Sequence, residues 1–87
     1  MTIRRLALHD FYLRDDESVA MVGTTVVRLP ELSTWIVMSA TEWISVDSLA
    51  RGLVERFGPP PPGTSSRQVA VSAVAELAKL GIVETRP

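Results

Sequence analysis

Few residues of this chain are of the types that catalyse reactions or hold metal ions. His9 is the only histidine, and Tyr12 and Leu13, which stand three and four positions after it, are not metal ligands of the usual kind. A single histidine without such neighbours is expected to be an ordinary surface side chain. The acidic run Asp15–Glu17 has a spacing that could imitate a cation site, but its composition is typical of a solvated turn.

The sequence also lacks the residues that other kinds of active site require. The chain has no cysteine, which excludes a disulfide framework and a thiolate zinc site. Its five glycines are scattered, so no phosphate-binding loop is present. No motif places a base beside a serine. We therefore predict a protein that is not an enzyme, needs no metal or cofactor, and works by binding.

Size and charge restrict what it can bind. The 87 residues predict a single domain over positions 1–87, and the net charge of −1 lacks the basic excess typical of nucleic-acid binding. The longest apolar stretch, Trp35–Met38, is far too short to cross a membrane, and no apolar targeting segment follows Arg4 and Arg5. We expect a cytoplasmic protein.

The first third of the chain predicts an antiparallel meander of three strands. Phe11 and Leu13 alternate with polar neighbours, and the polar run Arg14–Ser18 predicts a hairpin turn. Val19–Val22 and Thr24–Leu29 are rich in strand-forming residues, with Gly23 between them.

Three helices are predicted to follow. Pro30 suits a helix start, so Glu31–Ala40 is expected to be helical, although Trp35–Val37 would also suit a strand. Ser45 is a candidate N-cap for a second helix that ends at Gly58, and the proline run after it predicts a stiff spacer.

The third helix is expected to begin with Thr64, Ser65 or Ser66 as its cap and to end at Gly81. Ile82–Glu84 suits a short strand, and positions 85–87 are expected to fray. The predicted fold class is α+β: a three-stranded antiparallel sheet, three helices and a short C-terminal strand, an order compatible with a winged helix-turn-helix.

The third predicted strand is a candidate binding edge. If Thr25, Val27 and Leu29 face the helices, Val26 and Arg28 face the other way. The edge of a short meander has unpaired backbone groups to which an extended peptide can add. The alternative is an ordinary core strand.

A winged-helix DNA-binding regulator is a second candidate function. The third helix offers only Arg67, Gln68 and Lys79 for contacts with bases and phosphates. We therefore predict no nucleic-acid partner.

Three segments resemble the PqqD-like family: Val26–Leu32, then Trp43–Leu49, and the ending Val74–Glu84. The similarity extends over most of the chain, from about Phe11 to Glu84, and depends on the order of diffuse hydrophobic motifs. The turn Ala40–Trp43 lacks the glycine that is common in the family, and the tetraproline run is unusual. Both departures fit the stand-alone proteins of lasso-peptide gene clusters better than the quinone-cofactor protein.

The resemblance implies a leader-peptide recognition element for ribosomally made, modified peptides. Such a protein holds the precursor's leader as an added strand beside its third strand, in a cleft closed by the third helix. It presents the precursor to a leader peptidase and an ATP-dependent cyclase, and catalyses nothing itself. The expected peptide-binding residues are Thr25, Val26, Val27, Arg28 and Leu29 on the strand and Val69, Ala73, Glu76 and Leu80 on the helix.

The helix phase assigns Ala70, Val74 and Leu77 to the core, and an error of one residue would exchange some of these roles. Arg28 either pairs with an acidic leader residue or is solvated.

Overall fold

A computed structural model describes residues 1–6 and 10–87; His9 lies outside the described residues. The elements in chain order are β1 (Thr2–Arg5), β2 (Asp10–Arg14), β3 (Glu17–Val22), β4 (Thr25–Leu29), α1 (Glu31–Ser39), β5 (Ile44–Ser45), α2 (Val46–Phe57), α3 (Ser66–Lys79) and β6 (Val83–Arg86). The α+β class, the antiparallel meander and the three helices are confirmed.

The meander β2-β3-β4 is joined by two tight turns. Arg14 pairs with Glu17 and Val22 with Thr25, so each turn has two residues at its tip. Asp15 and Gly23, the first residue of each tip, have φ of 57° and 61°, the conformation that short hairpins require there. The second turn therefore includes Thr24, and β4 begins one residue later than predicted.

A second antiparallel sheet, in the order β5-β1-β6, was not predicted. Thr2 pairs with Arg86, and Ile3 pairs with Thr85. The expectation that positions 85–87 fray is therefore wrong for Thr85 and Arg86. The strands of this sheet are short and mixed in polarity, and their pairing joins opposite ends of the sequence. Local periodicity therefore does not reveal them.

Two of the three helices, α2 and α3, begin at a capping serine. Ser45 accepts a hydrogen bond from the backbone N–H of Ser48 at 3.1 Å, as expected for the N-cap of α2. Ser65, one of the three candidates, caps α3 and forms a reciprocal capping box with Gln68. The alternative of a strand at Trp35–Val37 is wrong, because these residues lie within α1.

Both sheets and all three helices contribute to one core. A buried hydroxyl pair joins the meander to α1: Ser18 Oγ and Thr34 Oγ1 lie 2.7 Å apart, and Thr34 also donates to the carbonyl of Leu29 at 3.1 Å. The buried apolar cluster comprises Ile3, Leu29, Ile36, Val37, Ala40, Val46, Leu49, Ala50, Leu53, Ala70, Val74, Leu77, Ile82 and Val83.

Candidate functional site

The outer edge of β4 has no strand beside it within the described residues, because β4 pairs only with β3. The pair Val22–Thr25 closes a two-residue turn and is therefore hydrogen-bonded. Pairs alternate along an antiparallel ladder, so the backbone of Val27 bonds to Ala20.

The pairing register determines which residues of β4 can form backbone hydrogen bonds with an added peptide. Thr25, Val27 and Leu29 direct their N–H and C=O groups toward β3, whereas Val26 and Arg28 direct theirs toward the open edge. An added strand would thus hydrogen-bond to two of the five predicted residues.

The side chains of β4 alternate largely as expected. Leu29 is buried and Val27 is half-buried, while Val26 is 59% exposed and Arg28 is exposed. Thr25 lies on the same face of the strand as Val27 but is exposed, since it adjoins the hairpin tip. Val27 and Leu29 therefore belong to the inner face, and Val26 and Arg28 to the outer one.

The predicted phase of α3 agrees with its burial. The expected core residues Ala70, Val74 and Leu77 are buried. Val69 and Ala73 are partly buried and pack against the core cluster. Glu76 and Leu80 are exposed. Of the four predicted binding residues on α3, only Val69 and Ala73 are therefore both apolar and half-buried.

Two contacts orient α3 relative to β4. Near its start, Val69 lines a common cavity with Leu32, which follows closely after the end of β4. Just beyond its end, Gly81 lies so close to β3 that an added Cβ would be 3.5 Å from Val22 Cγ1, and Val22 pairs with Thr25 at the start of β4. The start of α3 is therefore near the residues that follow β4, and the residue after its end is near the turn that precedes β4.

The cavity beside Val69 has a volume of about 190 Å³ and an apolar lining. The first three residues of the tetraproline segment line the cavity, together with Phe57 from the end of α2 and Leu32 from α1. The sequence predicts the prolines only as a stiff spacer, and it does not predict Leu32 as part of the site. A signal for Leu32 was present in the sequence, since this apolar residue follows the predicted strand by three positions and lies in the first turn of the predicted helix.

Charges near the site are few. Arg28 and Arg14 line an open cleft that also contains Asp15 and Glu17, so its two cations and two carboxylates balance. On α3, Arg67 forms an ion pair with Asp47, which leaves that helix with less free positive charge. On the outer face of the meander, Tyr12 donates a hydrogen bond to Asp10 Oδ1 at 3.2 Å, and this bond, together with the charge of the carboxylate, raises the pKa of Tyr12.

In residues 1–6 and 10–87 no group of three or more potential ligands is arranged to hold a metal ion. The acidic turn contains Asp16, which accepts a hydrogen bond from Arg56 at 3.3 Å.

No helix in the described part of the chain is long and apolar enough to cross a membrane.

Comparison with known proteins identifies no relative. No family model matches the chain, and no curated protein or solved structure matches it either.

Proposed function

We propose that this chain is a non-catalytic peptide-recognition domain with a winged helix-turn-helix arrangement, similar to PqqD-like leader-recognition elements. Its ligand is the leader of a ribosomally made precursor of lasso type, which adds to β4 as a further strand. The observation that carries the proposal is the open β4 edge, where the backbone groups of Val26 and Arg28 point outward.

Backbone pairing supplies only part of the affinity. Each hydrogen bond contributes about 1 kcal/mol net, because the free peptide is bonded to water. Partly exposed apolar side chains supply the rest: Val27 on β4 and Val69 and Ala73 on α3 are half-buried and pack against the core cluster. A leader side chain that covers them would gain about 25 cal/mol per Å² of apolar area removed from water.

The chemistry belongs to partners in this proposal. The bound precursor is presented to a leader peptidase and an ATP-dependent cyclase, and all three proteins work in the cytoplasm. The resemblance of Val26–Leu32 and Val74–Glu84 to the family supports this role.

Replacement of Val26 by proline tests the edge. Val26→Pro removes an N–H that points to the open side, a position at which an edge strand tolerates proline. We expect affinity for a fluorescein-labelled lasso leader peptide, measured by fluorescence polarisation, to fall about tenfold or more. Val26→Ala keeps the N–H and should stay within about twofold of the wild type.

Two results would contradict the proposal. One is unchanged leader affinity in a Val26→Pro variant whose circular dichroism is native. The other is binding of a DNA duplex at low salt that weakens steeply as salt rises, which would favour the DNA-binding regulator.

A further inference from the structure

We propose that β2, the opposite edge of the meander, is a second docking edge. Its occupant is an extended segment of a partner protein that carries an apolar side chain and, two residues away on the same face, a lysine or arginine. This proposal does not depend on what binds at β4.

The backbone of β2 is open on one side. Within the described residues β2 pairs only with β3. The pair Arg14–Glu17 closes a two-residue turn and is hydrogen-bonded, so Tyr12 also bonds toward β3. The N–H and C=O groups of Phe11 and Leu13 therefore point away from the sheet and can pair with another strand.

Apolar side chains lie beside this edge on the inner face of the sheet. Leu13 is opposite Ser18, which is buried against α1, yet Leu13 itself is 53% exposed. It lines a cavity of about 140 Å³ with Trp35 and Met38, and Met38 is 44% exposed. The sheet thus extends past the helices here and leaves a small apolar recess.

Carboxylates around the recess determine the charge of the occupant. Asp15, Asp16 and Glu31 line it, and the one cation of its lining is Arg56. Arg56 lies 3.3 Å from Asp16 and 3.9 Å from Glu31, and no ion pair involves Asp15 within the described residues. The recess therefore has an excess of negative charge in a chain whose net charge is only −1.

The geometry of a strand connects these features. Side chains two positions apart on an extended segment point to the same face, about 7 Å from one another. If one of them enters the recess at Leu13 and Trp35, its neighbour reaches the turn that contains Asp15. A cationic neighbour would be attracted there, and an anionic one repelled.

Two edges of one sheet can be occupied together. β2 and β4 are separated by β3, and neighbouring strands lie about 4.8 Å apart. A partner strand on β2 and a peptide on β4 would extend the meander to a sheet of five strands without competing for backbone groups.

The test uses a capped synthetic peptide with threonine at every second position. The positions between the threonines are lysine, leucine, lysine and leucine in turn, so that lysine and leucine lie on the same face. A second peptide has glutamate in place of each lysine. Trp35 is one of two tryptophans, so its emission reports binding selectively in a Trp43→Phe background. We expect saturable binding of the lysine peptide, and affinity at least about tenfold lower for the glutamate peptide.

Variants locate the binding. Leu13→Pro removes an outward N–H and should abolish the change in emission. Asp15→Asn keeps a residue that accepts positive φ and should weaken the lysine peptide about threefold, an effect that salt removes. Val26→Pro, which blocks the other edge, should leave this affinity within about twofold.

Three outcomes would overturn the proposal: no saturable change with the lysine peptide, equal affinity for the two peptides, or binding by a folded Leu13→Pro variant with wild-type affinity. Loss of the lysine peptide in Val26→Pro with retention in Leu13→Pro would assign it to β4 instead.

Discussion

At the scale of single residues, the contact between Gly52 and Trp35 shows how tightly α2 packs on α1. A Cβ added to Gly52 would lie 2.5 Å from Trp35 Cη2, closer than real side chains approach. Trp35 also packs edge-on against Phe57, with ring centroids 6.4 Å apart. Glycine in a helix is otherwise unfavourable, so its presence here reflects the space that the indole occupies.

Substitution of Gly52 by alanine should therefore destabilise the protein. Helix propensity alone favours alanine by about 1 kcal/mol, whereas overpacking costs about 1–3 kcal/mol. We expect Gly52→Ala to lower the free energy of unfolding in urea, and expect a gain when Trp35→Phe is the background. Equal effects in both backgrounds would show that the indole is not the cause.

Tyr12 offers a second prediction at this scale, because it is the only tyrosine. Its hydrogen bond to Asp10 and the charge of that carboxylate favour the neutral phenol, so the pKa lies above the usual value for tyrosine. Absorbance during alkaline titration should show ionisation at higher pH than in a free peptide. Asp10→Asn should lower that pH, and an unchanged titration curve would contradict the contact.

At the scale of elements, the second sheet is held by side chains on its outer face. The guanidinium groups of Arg86 and Arg4 lie 3.9 Å and 4.7 Å from the ring centroid of Trp43, and Arg4 bonds to Glu84. Such cation–π contacts contribute about 0.5–1 kcal/mol each when exposed. The Arg4–Glu84 ion pair joins β1 to β6, and the two contacts with Trp43 join both strands to the segment before β5.

Removal of positions 85–87 should therefore cost stability. The truncation deletes two paired strand residues and the Arg86–Trp43 contact, and we expect the free energy of unfolding to fall by about 1–2 kcal/mol in urea titration. Pro87→Ala is the matched control, since Pro87 lies beyond β6 and should be neutral. A neutral truncation would support the original expectation of a frayed end.

The meander and the helices could be predicted because their signals are local. Alternation at Phe11 and Leu13, the cap at Ser45 and the glycines at 58 and 81 each act within a few residues. The strand at Thr2–Arg5 has no such signal, because both of its partners are distant in the sequence: Thr2 pairs with Ser45 and with Arg86. The outward direction of Val26 and Arg28 likewise depended on which residues formed the turn at Gly23–Thr24.

At the scale of the whole molecule, one core serves both sheets. Ile3 and Val83 from the second sheet and Leu29 from the meander belong to the same cluster of buried residues. Neither sheet has a separate core, so neither is expected to unfold alone.

Unfolding should thus be a single cooperative transition. Fluorescence of Trp43, in a Trp35→Phe variant, reports the second sheet, and far-ultraviolet circular dichroism reports mainly the helices. We expect both signals to give the same midpoint in urea. Separate midpoints would show that the β5-β1-β6 sheet opens independently.

The pairing of Thr2 with Arg86 also has a consequence for the order of folding. The meander has contacts of low sequence separation, whereas the ladder between β1 and β6 joins residues as far apart as Thr2 and Arg86. Closing so long a loop costs entropy that only the finished core repays. During refolding of the whole chain we therefore expect the meander, with its open edge at β4, to pair early and the β1–β6 ladder to form last.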